Sequence, residues 1–270
     1  MRILFIGGGN MGQAIIGGLL KGGQAAQDIA VVEPLAATRE RLQRDFGVGA
    51  VATAAEAARG DVVVMAVKPQ QMREAAAVLA PHLAGALVLS IAAGIRLGDL
   101  SRWLKGHTLL ARCMPNTPAL IGQGASALYC MPSVPKAQRA QAVQILESVG
   151  RVIEVDDEAL LDPVTAVSGS GPGYVFLFIE ALEQAARELG LSAEQARLLS
   201  IQTFAGAAAL AAASKEDIAV LRERVTSKGG TTERALASMR NDRVVEAIVR
   251  AVRAANERAK ELGAELGRDA

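Results

Sequence analysis

The amino-acid sequence predicts an α/β fold in two parts: a doubly wound sheet in the N-terminal half and an all-α C-terminal half. Short apolar runs alternate with helical stretches up to about residue 155, a glycine-rich turn follows the first run, and no strand-like run occurs from Asp162 onward. Strands that alternate with helices are typical of βαβ units and parallel sheets. We therefore expect the sheet in domain 1–157 and helices in domain 158–270.

Composition and charge narrow the class of protein. The chain has 270 residues, which is long enough for one large domain or two smaller ones. A net charge of +1 gives no indication of nucleic acid or an anionic membrane as a partner. Cys113 and Cys130 have no metal-ligand spacing. We expect buried, reduced thiols, no metal site and a soluble cytoplasmic protein.

A glycine-rich turn after the first strand organises the N-terminal half. Ile3–Ile6 is a short apolar run, and Gly7, Gly9 and Gly12 follow it at G-x-G-x-x-G spacing before a helical stretch. Such glycines allow a tight turn, leave room for a pyrophosphate and let the helix pack closely on the strand, while the helix N-terminus attracts phosphate. This predicts a Rossmann-like dinucleotide site. The alternatives are a glycine turn without a ligand and, disfavoured by four glycines in six residues, a membrane span.

The remaining elements of the N-terminal half follow in order. Strands are expected where apolar runs end in turn residues. The runs are Ile29–Val32, Val48–Val51, Asp61–Val67, Ala86–Ile91, Leu109–Cys113 and Arg151–Val155, with a further segment at Ala125–Cys130 and a helix at Lys136–Val149.

Three features at strand ends bear on cofactor binding. Glu33 ends the second strand about twenty positions past the glycines, where a carboxylate commonly bonds the adenosine ribose and would repel a 2′-phosphate. It therefore favours NADH locally, although Arg39 and Arg41 follow closely and can offset the repulsion. Lys68 ends another strand, where it faces either the cofactor or solvent. Pro115 and Pro118 make the loop at 115–118 stiff.

The C-terminal half is predicted to be helical throughout. Val175–Leu189 is too hydrophobic for a half-exposed helix, Ser192 begins a second helix that continues to Ala213, and Val244–Leu262 is a final amphipathic helix. This excess of apolar surface favours packing between two chains over a self-contained bundle.

Three stretches of this half are candidates for chemistry. Ser168–Gly173 is a glycine-serine turn, and Val225–Glu233 places glycines, threonines and free N–H groups at a helix start. The second stretch is either a cradle for a small carboxylate or an ordinary cap with Thr231 as N-cap. Glu158 is the third candidate.

The positions of the two histidines bear on the type of reaction, because neither lies near the candidate loops. His82 and His107 lie beside turn-like segments and away from these loops, so we expect surface residues. Alcohol oxidation usually requires a base for the hydroxyl proton. Reduction of a C=N bond demands less, because a cyclic imine can enter protonated and a hydroxyl suffices to orient or protonate the nitrogen.

The chain resembles the pyrroline-5-carboxylate reductase family, the last enzymes of proline biosynthesis, over essentially its full length. The shared motifs are IGGGNMG at 6–12, AVKPQ at 66–70, RCMPNTP at 112–118, AVSGSGP at 166–172 and RVTSKGGTT at 224–232. The resemblance implies hydride transfer from NADPH, with NADH also accepted, to the C=N carbon of 1-pyrroline-5-carboxylate, giving L-proline. It also implies that the helical domain binds substrate and intertwines in a homodimer, often within a larger ring such as a decamer.

The resemblance further implies roles for individual residues. Substrate binding is implied for Glu158, Ser227, Gly229, Gly230, Thr231 and Thr232, with Thr232 as the proton donor. Cofactor binding is implied for Ile6, Gly7, Gly9, Asn10, Met11, Gly12, Glu33, Ala66, Val67, Lys68, Pro69, Ala93, Pro115 and Asn116. Lys228 departs from the family's usual proline, which removes stiffness from the loop and adds a cation that attracts an anionic substrate.

Other functions remain as alternatives. A β-hydroxyacid dehydrogenase shares the two-domain plan but requires a catalytic lysine on a helix where this chain has Leu177. A non-catalytic dinucleotide-binding regulator would bind the cofactor without turnover. A reductase of another small cyclic imine would use the same residues on a different substrate.

Overall fold

The structure is a computed structural model that describes residues 1–57, 59–83 and 85–268. It divides into two compact units. The first consists of Met1–Ser170 together with the C-terminal stretch from Ala255, and the second of Gly171–Ala254. The predicted fold class is confirmed, and the domain boundary after residue 157 stays a prediction.

The first unit contains a sheet of eight strands among the described residues, in the order β3-β2-β1-β4-β5-β6-β7-β8. The order reverses at β1, which pairs with β2 on one side and β4 on the other, and this is where open α/β sheets bind dinucleotides. Neighbouring strands are parallel except β6 and β7, which are antiparallel. The strands are β1 Ile3–Ile6, β2 Ile29–Val32, β3 Gly49–Val51, β4 Val62–Met65, β5 Leu87–Ser90, β6 Leu110–Met114, β7 Gly124–Cys130 and β8 Gly150–Glu154.

Helices cover both faces of this sheet, so its central strands are buried on both sides. Alternate residues of β1 enter different cores, because side chains of a strand point to opposite faces. Ile3 and Phe5 join one core cluster, whereas Leu4 and Ile6 join the other. The helices of this unit are α1 Asn10–Lys21, α2 Ala36–Phe46, α3 Met72–Leu79, α4 Leu97–Trp103, α5 Lys136–Glu147 and α6 Leu161–Val164.

The second unit is helical, and no strand occurs among its described residues, as predicted. Its helices are α7 Gly171–Glu188, α8 Ala193–Ala213, α9 Ile218–Arg224, α10 Thr231–Asn241 and the first part of α11 Val244–Leu266. Ser192 begins α8 with a capping box: its hydroxyl accepts from Gln195 N–H at 3.2 Å, and Gln195 Oε1 accepts from Ser192 N–H at 2.9 Å. Phe178 of α7 and Phe204 of α8 stack with ring centroids 6.4 Å apart.

Helix α7 is not covered by the rest of the single chain. No residue of α7 is buried within the chain, and Phe176 and Leu177 remain 61% and 64% exposed. Burying such side chains is favourable by about 1.5–3 kcal/mol each. This helix therefore presents apolar surface that the single chain does not cover.

The last turns of α11 pack on the turn between β5 and α4, within the first unit. Gly94 has φ +77°, and a Cβ placed on it would lie 2.9 Å from Leu266 Cδ1. Arg102 donates to the Gly267 carbonyl at 3.0 Å. Glycine at position 94 thus allows both the left-handed backbone and the close approach of the C-terminal helix.

Both cysteines are buried and free, as predicted. Burial raises the pKa of Cys113 to about 12 and that of Cys130 to about 11. Both thiols are therefore protonated near neutral pH and make poor nucleophiles. The histidines are less exposed than expected: both are half-buried, and His107 Nε2 lies 2.9 Å from the Ala86 carbonyl oxygen.

Candidate functional site

The glycine turn between β1 and α1 has the geometry that its spacing predicts. Gly7 has φ +99°, and a Cβ placed on it would lie 2.8 Å from the Ala66 carbonyl oxygen, so only glycine fits. A Cβ on Gly12 would lie 3.1 Å from the Gly7 carbonyl oxygen, which shows how closely α1 packs on the turn. At Gly9 the nearest atom is 3.9 Å away, so the backbone there is open to a ligand.

The start of α1 suits a pyrophosphate. Gly9 is the N-cap and provides no side-chain cap. The N–H groups of the first turn, at Asn10, Met11 and Gly12, are therefore left to water or to a ligand. These N–H groups and the positive end of the helix dipole favour an anion. The residues present thus fit the pyrophosphate of a dinucleotide.

Glu33 lies directly beneath this turn and is 9% exposed. Its Oε2 accepts from Gly8 N–H at 2.9 Å, and its Oε1 accepts from Leu35 N–H at 3.0 Å. Arg39 Nη1 donates to the carbonyl oxygens of Glu33 and Pro34 at 2.8 and 2.7 Å. The acid and the cation anticipated at this strand end are therefore neighbours.

The other residues predicted to bind cofactor follow the carboxyl ends of parallel strands. Ala66, Val67, Lys68 and Pro69 follow β4, Ala93 follows β5, and Pro115 and Asn116 follow β6. The register aligns Ile6 with Met65 and Met65 with Ser90, so these strands end at one edge of the sheet. Ligands of open α/β sheets bind outside this edge. Lys68 is exposed and Pro115 is buried.

Glu158 belongs to a charge cluster of the first unit. Its Oε1 accepts from Leu97 N–H at 2.8 Å and from Arg112 Nη1 at 3.0 Å. Asp162 Oδ1 lies 4.0 Å from Arg112 Nη2, and Asp162 Oδ2 lies 4.0 Å from Arg96 Nη2. The Arg112 side chain is only 4% exposed. The cluster thus joins the segment after β8 to β6 and to the start of α4.

Sequence reasoning missed Arg112 and Asp162 as members of this cluster. An arginine inside the apolar run Leu110–Met114 is a detectable signal, since a charged side chain is rarely buried without a partner. Its partners lie 46 and 50 positions later in the chain and cannot be identified from local pattern.

The loop before α10 forms a tight turn in the second unit. Gly230 N–H donates to the Ser227 carbonyl oxygen at 3.0 Å, and Gly229 has φ +74°. A Cβ on Gly230 would lie 2.6 Å from Ser227 Oγ, so the hydroxyl lies against the glycine. Glu233 Oε2 accepts from Gly229 N–H at 2.6 Å.

The suggestion that Thr231 is the N-cap of this helix is wrong. Gly230 is the N-cap, with φ −84° and ψ 174°, and helical dihedrals begin at Thr231. Thr231 and Thr232 therefore occupy the first turn, where backbone N–H groups have no partner within the helix. Thr231 is exposed and Thr232 is half-buried. The loop offers hydroxyls and N–H groups, which suit a carboxylate, and the Glu233 carboxylate already occupies the Gly229 N–H.

Metal binding finds no support in this geometry. Within the described ranges, no group of three or more histidine, cysteine, aspartate or glutamate side chains is placed to hold a metal ion.

Two family models match the chain. One is described as pyrroline-5-carboxylate reductase dimerisation and matches residues 158–262, and the other as NADP oxidoreductase, coenzyme F420-dependent, and matches residues 2–94. Pyrroline-5-carboxylate reductase of Pseudomonas aeruginosa is 47% identical over 268 residues, which cover 98% of each chain. That of Vibrio alginolyticus is 40% identical over 97% of each.

Solved structures agree with these sequence relatives. A pyrroline-5-carboxylate reductase from Coxiella burnetii superposes with a TM-score of 0.92 at 39% identity, covering 97% of this chain and 98% of the other. The Plasmodium falciparum pyrroline carboxylate reductase with NADP bound superposes with a TM-score of 0.86 at 29% identity and the same coverage.

Proposed function

The chain belongs to the pyrroline-5-carboxylate reductase family, and we propose that it reduces the C=N bond of 1-pyrroline-5-carboxylate with NADPH to give L-proline. This is the last step of proline biosynthesis, and NADH is a second cofactor. The observation that supports this best is the 47% identity to a curated reductase across 98% of both chains. The open glycine turn and the threonine-rich loop provide the chemistry that such a reaction requires.

We assign cofactor binding to the edge of the sheet around β1. The N–H groups of the first turn of α1 hold the pyrophosphate, and Glu33 and Arg39 face the adenosine ribose. NADPH, when bound, supplies the hydride. The proposed cofactor-binding residues are Ile6, Gly7, Gly9, Asn10, Met11, Gly12, Glu33, Ala66, Val67, Lys68, Pro69, Ala93, Pro115 and Asn116.

We assign the substrate carboxylate to the loop before α10. The proposed ligands are Ser227, Gly229, Gly230 and Thr231. The N–H groups of Gly229 and Gly230 are bonded to Glu233 and to the Ser227 carbonyl oxygen, so the free donors are the hydroxyls and the N–H groups of the first turn of α10. Lys228 is exposed and adds positive charge at the mouth of this loop.

Thr232 holds the ring nitrogen through its hydroxyl. It orients the C=N bond and gives its proton to the nitrogen as hydride arrives at carbon, and the alkoxide left on Thr232 regains a proton from water. Glu158 Oε1 is already engaged by Leu97 and Arg112, so we assign Oε2 of Glu158 to the substrate. Correct positioning supplies most of the rate in such a reaction, because the imine is electrophilic once protonated.

We further propose a cytoplasmic homodimer formed through the helical residues 158–270, without nucleic acid or membrane as a partner. The exposed apolar side chains of α7 support pairing with a second copy. Helix α8, Ala193–Ala213, is long and apolar enough to span a membrane by composition alone, but it lies wholly within the segment that matches the dimerisation model. Dimers of this kind can assemble into a ring such as a decamer, and sedimentation of the purified protein gives the mass.

A matched pair of variants at Thr232 tests the proposed reaction. Thr232→Ala should lower kcat by about ten- to a thousandfold, the range expected for one positioned donor. Thr232→Ser keeps the hydroxyl and should recover most of this loss. Unchanged turnover in Thr232→Ala would contradict the assigned role. If the wild type and both variants bind cofactor but form no proline, the protein is instead a dinucleotide-binding regulator.

A further inference from the structure

The side chain of Asn116 is bonded within the protein at both ends. Its Oδ1 accepts from Ala125 N–H at 2.9 Å, and its Nδ2 donates to Ser168 Oγ at 3.1 Å and to the Ser168 carbonyl oxygen at 3.3 Å. Ser168 Oγ also donates to the Ala125 carbonyl oxygen at 3.4 Å. The three residues therefore form a closed set of hydrogen bonds, which we call the Asn116 clamp. An asparagine amide offers a donor and an acceptor in one plane, as this arrangement requires.

The loop that carries Asn116 is held by packing as well, since Ala119 is 2% exposed and belongs to one core cluster. Pro115 and Pro118 have no N–H to donate. Asn116 and Pro118 accept, through their carbonyl oxygens, the N–H groups of Ala119 and Gln123 at 3.1 and 3.0 Å, but these bonds lie inside the loop itself. The Asn116 clamp adds the side-chain hydrogen bonds that join the loop to the start of β7 and to residue 168.

Ser168 lies in an unusual helical turn. Residues Thr165–Gly169 form a π-helical turn in which Ser170 N–H donates to the Thr165 carbonyl oxygen at 2.8 Å. Such turns are rare and occur frequently at functional sites. Met114, two residues before Asn116, also contacts this turn, since a Cβ placed on Gly169 would lie 2.5 Å from Met114 Cε.

The sheet order places this loop beside the reactive half of the cofactor. Glu33, which faces the adenosine ribose, follows β2 on one side of β1. The pyrophosphate is assigned to the point where the strand order reverses, at β1. The other half of a dinucleotide therefore extends over the ends of β4, β5 and β6. Asn116 follows β6. Its amide is already committed within the protein, so it acts on the cofactor through the position of its loop.

We propose that Asn116 is a positioning residue. The Asn116 clamp fixes the loop at 115–118 against the π-helical turn and so sets the placement of the nicotinamide for hydride transfer. This inference rests on the proposed function for its effect on turnover. A displacement of about 1 Å from productive geometry can cost about a hundredfold in rate. None of the clamp hydrogen bonds involves the residues assigned to the pyrophosphate or to the adenosine ribose.

The test compares Asn116→Ala, Asn116→Asp and Ser168→Ala with Gln123→Ala, an exposed residue of the same loop whose side chain is outside the clamp. Asn116→Asp keeps the size and the acceptor but loses the Nδ2 donor. We expect both Asn116 variants to lower kcat by about ten- to a hundredfold while NADPH Kd and substrate KM change by less than about threefold. The primary isotope effect with NADPH deuterated at the transferred position should rise, because hydride transfer limits the rate more fully. Gln123→Ala should match the wild type.

Two further measurements test the Asn116 clamp, one with a double variant and one without turnover. The double variant Asn116→Ala/Ser168→Ala should lose no more activity than Asn116→Ala, because both changes break one clamp. NADPH fluorescence in the binary complex should shift towards that of free NADPH in Asn116→Ala, and this readout does not depend on turnover. If the wild type shows no turnover, the proposed function fails while the fluorescence still tests the clamp. The inference would be overturned if both Asn116 variants gave the NADPH fluorescence of the wild type and, where turnover occurs, the kcat of the wild type.

Discussion

Replacement of Arg112 by methionine tests whether the charge cluster holds the first unit together. Arg112 lies in β6 with 4% of its side chain exposed, and its two terminal nitrogens lie 3.0 Å from Glu158 and 4.0 Å from Asp162. Methionine fills much of the same volume but provides no charge. The carboxylates of Glu158 and Asp162, which are 23% and 10% exposed, would then lose their buried cation.

The expected cost follows from this geometry. Removing one partner of a buried ion pair costs about 3–5 kcal/mol, because the remaining charge is left uncompensated. Water reaches part of Glu158, and Asp162 keeps Arg96 at 4.0 Å, so we take the lower end of about 3 kcal/mol. For a chain of this size, that loss lowers Tm by roughly 6–12 °C.

Thermal unfolding followed by circular dichroism, without cofactor and at one protein concentration, measures this loss. The matched control is Arg139→Met, because Arg139 pairs with Glu154 at 3.3 Å but both side chains are about 40% exposed. That pair should contribute less than about 1 kcal/mol. Removing the stranded carboxylates together with Arg112, as Arg112→Met/Glu158→Gln/Asp162→Asn, should restore much of the stability. A Tm for Arg112→Met equal to that of Arg139→Met would refute the reasoning.

Three further predictions concern the cofactor, the thiols and the oligomer. Glu33→Ser removes the carboxylate that we assign to the adenosine ribose and should raise the NADPH-to-NADH ratio of kcat/KM; an unchanged ratio would show that Glu33 does not select between the two cofactors. Cys113 and Cys130, with pKa values raised to about 12 and 11, should react with a thiol reagent only after unfolding, as measured by labelling at pH 8 with and without urea. These raised values also mean that the folded chain keeps protons that the unfolded chain loses above pH 9, so stability should fall as pH rises from 9 towards 12. Leu177→Asp places a charge on the exposed face of α7 and should shift the sedimenting species towards monomer, whereas an unchanged mass would place the interface elsewhere.

The parts of the fold that depend on local pattern were predictable from the sequence. The apolar run Ile3–Ile6 and the glycines after it determine a strand, a turn and a helix within a few residues of one another, and the structure has all three. Helix α8 likewise begins where Ser192 and Gln195 form a capping box. In both cases the bonds that define the element join residues close in sequence.

The parts that depend on distant contacts were not predictable. Arg112 meets Glu158 only because β6, β7 and β8 lie side by side, with β6 and β7 antiparallel. No local sequence pattern predicts the π-helical turn at Thr165–Gly169. The same is true of its hydrogen bond to Asn116, which lies 52 positions before Ser168. The partner of α7 was not predictable for a related reason, since its apolar residues indicate burial without showing which surface covers them.

The most direct test of the central claim is oxidation of NADPH and of NADH by the purified protein with 1-pyrroline-5-carboxylate, with the product identified. We expect one L-proline for each NADPH oxidised, with NADPH giving the higher kcat/KM. Absence of turnover with either cofactor, at normal cofactor affinity, would contradict the proposed reaction and favour a dinucleotide-binding regulator or a reductase of another cyclic imine.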